Sequence, residues 1–531
     1  MTSKQPEPGG RALAEAVRDL YRKGQADYAL EPIVLVDEQG EPVGRVEDGD
    51  AVIFCCRRGE REVQLTEAFV ERDWDRFPRR TLRDLTFVIL TLYHEKFKDL
   101  PVAFAPARIK DTLGEVVGRA GLTQLHVAES EKFAHVTFFL NGGRQQPFDG
   151  EKDVCIPSPK GQPYEQVPEL SLAGVTQAVL QGIRDRVDLI VANFANADVI
   201  GHTSNREAKV RCVEAVDAGL GEVVQAALAG EYAVLVTADH GNLEVMTSPD
   251  GSPHVSHTDN PVPFLYLEGR NPPGIHVRDG ALADVAPTAL RLLGLEPPRE
   301  MDGACLLPSV RWLGGRRVLL IILDGWGIGQ QNDTNPIFLA QPEVWGTLTR
   351  EHPTSQLLAA GEAVGLRPGK AGNSEAGHMN LGAGRLVPQD DVRLDLAMKD
   401  GSFSKNDTLC RVIDGVKKRK SGLHLIGLLS EKSSHGSIDY PLEVLRMARR
   451  RGLPRVYLHL IFDGRSTEPG SAPDLLAKLE GQLKDIGAGC IASGVGRGIA
   501  LDRDGNYART RKAYEAIVDG VGVKCAASGQ S

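Results

Sequence analysis

The chain has 531 residues, 41% of them hydrophobic and 25% charged, with a formal net charge of −9. That is enough apolar matter for about two to four packed domains, and it excludes a chain disordered as a whole. The negative balance argues against a nucleic-acid partner, and no apolar run approaches the ~20 residues that span a bilayer.

Short apolar runs alternate with helical patterns along the chain. The clearest, in order, are "VDLIVANF" (187–194), "YAVLVTADH" (232–240), "VLLIILDG" (318–325) and "LHLIGLLS" (423–430). Near-continuous apolar strands that end in Asp, His or Asn predict doubly wound parallel sheets, with functional groups at the carboxyl ends of the strands. Pro- and Gly-rich stretches at 296–317 and candidate hinges at 94–106 and 382–391 separate these runs. Basic runs at 417–420 and 446–452 fall where helices end and read as solvated faces. The eight cysteines lack disulfide-framework or metal-ligand spacing, and "MTSKQPEPGG" lacks an apolar leader core. The expectation is a soluble cytoplasmic protein with no membrane partner.

Several positions carry chemistry. Asp198 and His202 in "NFANADVIGHTS" are spaced to share one side of a helical turn, a good pair of ligands for a divalent transition metal. An ordinary polar loop accounts for them equally well. Asp239 and His240 end the strand of "VLVTADHGN", where a simple strand-end turn is the alternative. His254 and His257 lie in a Pro-rich loop, and Asp324 stands at the mouth of "ILDGWG". Ser374, in "KAGNSEAGHMNLGAGR", sits where a helix could start. Helix N-terminal N–H groups suit a phosphoryl group, although a serine there also serves as a plain cap. No Gly-x-Ser-x-Gly elbow activates it, so metal activation is the more natural route. Such a set suffices for two metal ions and one nucleophile, a recurring device for phosphoryl transfer. Arg58, Arg61, Arg465, Arg497 and Arg503 offer forks for carboxylate or phosphate, and His435 follows a strand. Singly, each of these reads as a surface residue.

Together the motifs "LLIILDGWG", "GNSEAGHMNLGAGR", "EKFAHVTFFLNGG", "NFANADVIGHT", "VTADHGN" and "HTDNPVPF" resemble those of cofactor-independent phosphoglycerate mutases, in the alkaline phosphatase superfamily. The resemblance covers about 15–307 and 317–523, in a different order. The family begins with the strand matching "LLIILDGWG" and ends near "EMDGACLL", so it implies a circular permutation joined through 296–317. The implied fold is two α/β domains across a cleft: an alkaline-phosphatase-like doubly wound sheet and a second α/β substrate-binding domain. The implied division is 1–98 (substrate-binding, second part of the family order), 99–388 (metal and serine domain) and 389–531 (substrate-binding, first part).

The resemblance also implies roles. One metal falls to Asp198, His202 and His257, the other to Asp324, Ser374, Asp239 and His240, with Mn²⁺ expected and no 2,3-bisphosphoglycerate. Ser374 takes the phosphoryl group and Lys132 helps hold it. His435, Arg465, Arg497, Arg503, Arg58 and Arg61 bind the rest of a small phosphorylated substrate. The implied reaction interconverts 3-phosphoglycerate and 2-phosphoglycerate, in a chain expected to be a monomer. Two positions depart from the family. Its "DGRD" is "DGRST" here, placing Ser466 where a carboxylate stands, and "SSHGS" replaces "GVHSH", placing Ser437 where a second histidine stands. A serine cannot act as a carboxylate base. A metal-dependent phosphatase, or a mutase of another phosphorylated hydroxy acid, is therefore the competing expectation. A third is a non-catalytic chain pairing by domain swapping.

Overall fold

The run Arg317–Leu323 is buried from Val318 onward on both faces, as a parallel strand covered by helices on each side must be. It belongs to one of two α/β units in the computed structural model, which describes residues 8–57, 59–105, 108–269, 275–308, 315–431, 433 and 435–526, without the side chains of 59 and 60. One unit is Met1–Pro106 with Arg393–Ser531, the other Ala107–Val392. The sequence candidate Arg58 and part of the 296–317 stretch lie outside the described residues.

In chain order the first unit begins with β1 (Ile33–Val36), β2 (Ala51–Phe54), β3 (Thr86–Thr91) and β4 (Val102–Phe104). The second unit follows with β5 (Gln124–Glu129), β6 (Glu151–Ile156), β7 (Leu189–Phe194), β8 (Tyr232–Thr237), β9 (Val262–Leu267), β10 (Gly280–Ala281), β11 (Arg317–Leu323) and β12 (Thr354–Leu358). The first unit resumes with β13 (Leu423–Leu429), β14 (Val456–Phe462), β15 (Cys490–Gly496) and β16 (Val523–Ala526).

The first unit's sheet runs β16-β1-β15-β14-β13-β2-β3-β4, parallel except where β1 opposes β15. Its alternation divides two cores. Leu423, Leu425 and Leu429 pack with one cluster, Ile426 and Leu428 with the other, as the period of two in a strand requires. The second unit's sheet runs β10-β12-β9-β8-β11-β7-β5-β6. Its centre is parallel, with Leu323 beside Phe194 and Ile322 beside Thr237. β9 is antiparallel to both β8 and β12. Since β8, β11, β7 and β5 run the same way, their carboxyl ends fall on one edge, where loops leave the sheet.

Among the described residues no helix is long and apolar enough to cross a membrane.

Candidate active site

The edge formed by β8, β11, β7 and β5 carries the chemistry of the second unit. Asp239 and His240 follow β8, and Asp324 follows β11. Asp198 lies in the short helix Asn196–Gly201 after β7, and Lys132 lies just beyond β5. Ser374 opens the helix Ser374–Ala383, capped by the Asn373 side chain accepting from the Ala376 N–H at 2.9 Å. Gly325 turns the chain after Asp324 with φ +79, and a Cβ there would meet the Asp198 backbone at 2.7 Å. Only glycine fits that turn without strain.

Lys132 Nζ is the hub. It donates to Asp198 Oδ2 at 2.6 Å, to Asp324 Oδ1 at 2.6 Å and to Ser374 Oγ at 2.7 Å. Burial alone lowers the pKa of this ammonium, yet Asp324, Asp198 and Asp239 hold it raised. His240 Nε2 lies 2.9 Å from Ser374 Oγ. Burial would lower this imidazole too, but Asp239, Asp324 and Asp198 push it up to about 9. Burial works against ionised Asp198 and Asp324 as well, and Lys132 overcomes it, with His202 and His257 helping at Asp198 and His240 at Asp324. Both carboxyls stay below the usual carboxylate range.

His202 and His257 join the same group. Their Nδ1 atoms lie 2.9 Å from the Val255 carbonyl and 2.8 Å from the Gly372 carbonyl. A carbonyl only accepts, so each Nδ1 carries a hydrogen and each Nε2 is the nitrogen that faces Asp198. Those two Nε2 atoms are 3.0 Å apart and lie 3.3 and 3.1 Å from Asp198 Oδ1. An ion bound here would find two imidazole nitrogens and a carboxylate around it. The donors close enough to share an ion are Asp198, His240 and His257 in one group and Asp239, His240 and Asp324 in another. The buried Asp239 Oδ2 lies 3.5 Å from His240 Nε2 and 3.2 Å from His378 Nδ1. A further group, His126, Glu151 and Asp153, lies on the edge pair β5 and β6.

His254 is not part of this centre; its carbonyl accepts from buried Lys209 at 2.7 Å. The remaining candidates belong to the first unit, at the carboxyl ends of its parallel strands. His435 follows β13, and Arg465 and Ser466 follow β14. Arg497 follows β15 directly, with exposed Arg503 further along, and Arg61 lies in the helix Gly59–Val70 after β2. Arg497 pairs with Asp463 at 2.5 Å, and the Ser466 N–H donates to the other Asp463 oxygen at 3.2 Å. Arg465 stacks over the Tyr28 ring, and Arg61 donates to the Leu501 carbonyl at 3.2 Å.

Residues 37–297 match the family described as Metalloenzyme superfamily, and residues 394–530 match BPG-independent PGAM N-terminus. The 2,3-bisphosphoglycerate-independent phosphoglycerate mutase of Moorella thermoacetica is 47% identical over 295 residues, 55% of this chain and 57% of the relative. That of Salinibacter ruber is 46% identical over 302 residues, 56% of this chain and 57% of the relative. The comparisons support kinship with the BPG-independent phosphoglycerate mutases. The chain spans a little over half the length of the curated relatives it matches. A crystal structure of Leishmania mexicana phosphoglycerate mutase at low cobalt concentration matches 51% of this chain and 52% of that chain, with 29% identity and a TM-score of 0.40.

Sequence reasoning passed over the groups that hold this centre's carboxylates and serine. Asn193 Nδ2 donates to Asp324 Oδ2 at 2.7 Å, and Asn242 Nδ2 donates to Asp198 Oδ1 at 2.8 Å. His378 Nδ1 lies 2.9 Å from the Ser374 carbonyl and 3.2 Å from Asp239 Oδ2. All three stand inside the motifs that carry the resemblance, where an amide or a second histidine beside a ligand was the available signal.

Proposed function

We propose that this chain is a phosphoglycerate mutase that interconverts 3-phosphoglycerate and 2-phosphoglycerate through a phosphoserine at Ser374, without 2,3-bisphosphoglycerate. The observation that carries the reading is the Ser374 hydroxyl. It opens a helix, lies 2.7 Å from a buried ammonium and 2.9 Å from a buried imidazole, and stands among carboxylates in excess of those cations. The donor sets fit two divalent ions: Asp198, His202 and His257 would hold one, Asp324, Ser374, Asp239 and His240 the other, with His240 within reach of either group. Oxygen and nitrogen donors of this kind accept Mn²⁺. Two bound ions would supply charge neutralisation at the attacking and leaving oxygens.

The chain's own residues do the rest. Ser374 gives up its hydroxyl proton as Oγ forms a bond to phosphorus and the bond from phosphorus to the C3 oxygen breaks, and the C3 oxygen takes up a proton in exchange. The C2 hydroxyl then attacks the phosphoserine and loses its proton, and Ser374 leaves and regains its own. Lys132, a donor to Oγ, stabilises charge on the phosphoryl oxygens throughout. Asn193 and Asn242 hold Asp324 and Asp198 in place. The first unit binds the glycerate moiety through His435 and through Arg61, Arg465, Arg497, Arg503 and Arg58, the arginine forks suiting a carboxylate or phosphate.

The circular permutation is part of the same proposal. The profile described as an N-terminus matches 394–530, after the metalloenzyme match at 37–297. The eight free cysteines fit a reducing compartment, and we place the enzyme in the cytoplasm as a monomer.

Ser466 favours a second reading, a metal-dependent phosphatase, because no carboxylate follows Arg465. One experiment separates the two: Mn²⁺ and 3-phosphoglycerate, without 2,3-bisphosphoglycerate, followed by phosphorus NMR. Growth of 2-phosphoglycerate, abolished in Ser374→Ala, supports the mutase. Inorganic phosphate alone overturns it in favour of the phosphatase.

A further inference from the structure

Glu62 is a buried carboxylate with half of its hydrogen-bonding capacity unused. It is 0% exposed, in the helix that follows β2. Its Oε1 lies 3.2 Å from His435 Nδ1, while Oε2 is buried with no partner among the described residues. Taking a carboxylate out of water costs several kcal/mol unless it is fully paired, so this position gives up stability for something else. Burial pushes the Glu62 carboxyl up, opposed by His435 and by Arg497. The Cys56 thiol and Tyr93 phenol also face it.

The backbone around His435 is anchored independently of Glu62. The Arg57 N–H donates to the His435 carbonyl at 2.9 Å, and the Arg57 guanidinium donates to the Ser433 carbonyl at 3.0 Å. These contacts fix where the residue sits but leave its ring free to turn. The ring is 12% exposed. An ionised carboxylate can only accept, so the nitrogen facing it must carry hydrogen.

We infer that Glu62 is a positioning residue: it holds the His435 ring with Nδ1–H directed at Oε1 and leaves the Nε2 lone pair as the acceptor that meets a hydroxyl of the substrate. This rests on the assignment of His435 to substrate binding made above. Glu62 thereby supplies, one residue removed from the substrate, an orienting carboxylate on the wall where Ser466 offers none.

The test uses the full chain with ¹⁵N-labelled histidine, the His435 signals being assigned by their loss in His435→Asn. The wild type should show the Nδ1–H form at neutral pH. Glu62→Met, which cannot accept, should lose that bias and raise KM for 3-phosphoglycerate about ten-fold, with kcat changed by less. Glu62→Gln keeps an acceptor oxygen and should retain the Nδ1–H form with a smaller rise in KM. An Nε2–H form in the wild type overturns the inference. So does a Glu62→Met protein whose melting temperature falls while tautomer and KM stay put, the signature of a purely structural role. If Glu62→Met does not fold, the wild type and Glu62→Gln spectra decide. The tautomer readout needs no turnover. A wild type that forms no 2-phosphoglycerate therefore sinks the mutase reading, while its Nδ1–H signal would still support Glu62.

Discussion

The Lys132 ammonium lies 2.6 Å from Asp324 Oδ1, and both side chains are almost fully buried. The ammonium also touches Asp198 and the Ser374 hydroxyl, so one cation holds two carboxylates and the proposed nucleophile together. Removing one partner of a buried pair leaves an uncompensated charge, at a cost of about 3–5 kcal/mol. Lys132→Met is expected to melt earlier than wild type in chelator, and Mn²⁺ should recover part of the difference by neutralising the same carboxylates. Its kcat should fall by about 10²–10³-fold even when metal is saturating, since a donor to the transferring phosphoryl group is gone. Thermal melts with and without Mn²⁺, beside steady-state rates, check both. Equal melting of the two proteins in chelator would count against the hub.

The facing Nε2 atoms of His202 and His257, 3.0 Å apart, make a second prediction. Each ring is already held at Nδ1 by a carbonyl, so both Nε2 atoms are turned toward Asp198, where a cation would meet them. On the proposed two-ion centre, His257→Ala is expected to bind one divalent ion per chain and the wild type two. The remaining ion should retain its affinity to within about ten-fold. Metal content after gel filtration measures the stoichiometry. An unchanged content would remove His257 from the ligand set.

A pH dependence arises away from that centre. Asp153 on β6 lies beside His126 on β5 and shares a metal-donor group with Glu151. Burial, and then the Glu151 carboxylate, push Asp153 up to about 6, against the pull of His126. Burial lowers the His126 imidazole, although Asp153 raises it in part. A carboxyl whose folded-state pKa is raised contributes stability that is fully present below its unfolded pKa of ~3.9, and that stability is lost as pH rises through the folded value. Asp153→Asn removes this titration. The variant should melt above wild type near pH ~7, with the gap closing towards pH ~4. Thermal melts across that range in chelator test it; a gap independent of pH would contradict the buried acid pair.

Much of this was legible because parallel strands announce themselves. "VDLIVANF", "YAVLVTADH", "VLLIILDG" and "LHLIGLLS" contain β7, β8, β11 and β13, since strands buried on both faces can carry few polar side chains. Asn193 near the end of the first, Asp239 and His240 at the end of the second and Asp324 at the end of the third stand out by contrast. The edge strand β6, "EKDVCI", is only partly buried; its polar residues break the apolar run, so no pattern marks it. Lys132 has no local signal either. It sits beyond β5 in a stretch without strand or helix periodicity, and only the motif resemblance singled it out. Glu62 stayed hidden for a different reason: in "RRGEREVQL" an acidic residue among arginines reads as an exposed helix face. Its burial against His435 depends on contacts 373 residues apart in the chain.

The helix that begins at Ser374 also shows how close its packing to the site is. At Gly377 a Cβ would stand 2.5 Å from the Asp239 carbonyl oxygen and 2.8 Å from the Asp239 Cβ. The carbonyl is backbone and cannot swing away, so the helix itself must move, carrying Ser374 with it. Helix propensity alone favours alanine over glycine by about 0.5–1 kcal/mol, but overpacking costs about 1–3 kcal/mol, and the second term wins at this position. Gly377→Ala is expected to lower stability and to reduce kcat at least ten-fold through a displaced hydroxyl. Gly346, within the helix Glu343–Glu351, is the matched control: a Cβ there meets nothing within 4 Å. Gly346→Ala should gain about 0.5–1 kcal/mol with kcat unchanged. Denaturant melts and turnover of both variants give the comparison. A Gly377→Ala protein as stable and active as its Gly346→Ala counterpart would show that the helix is not seated against Asp239.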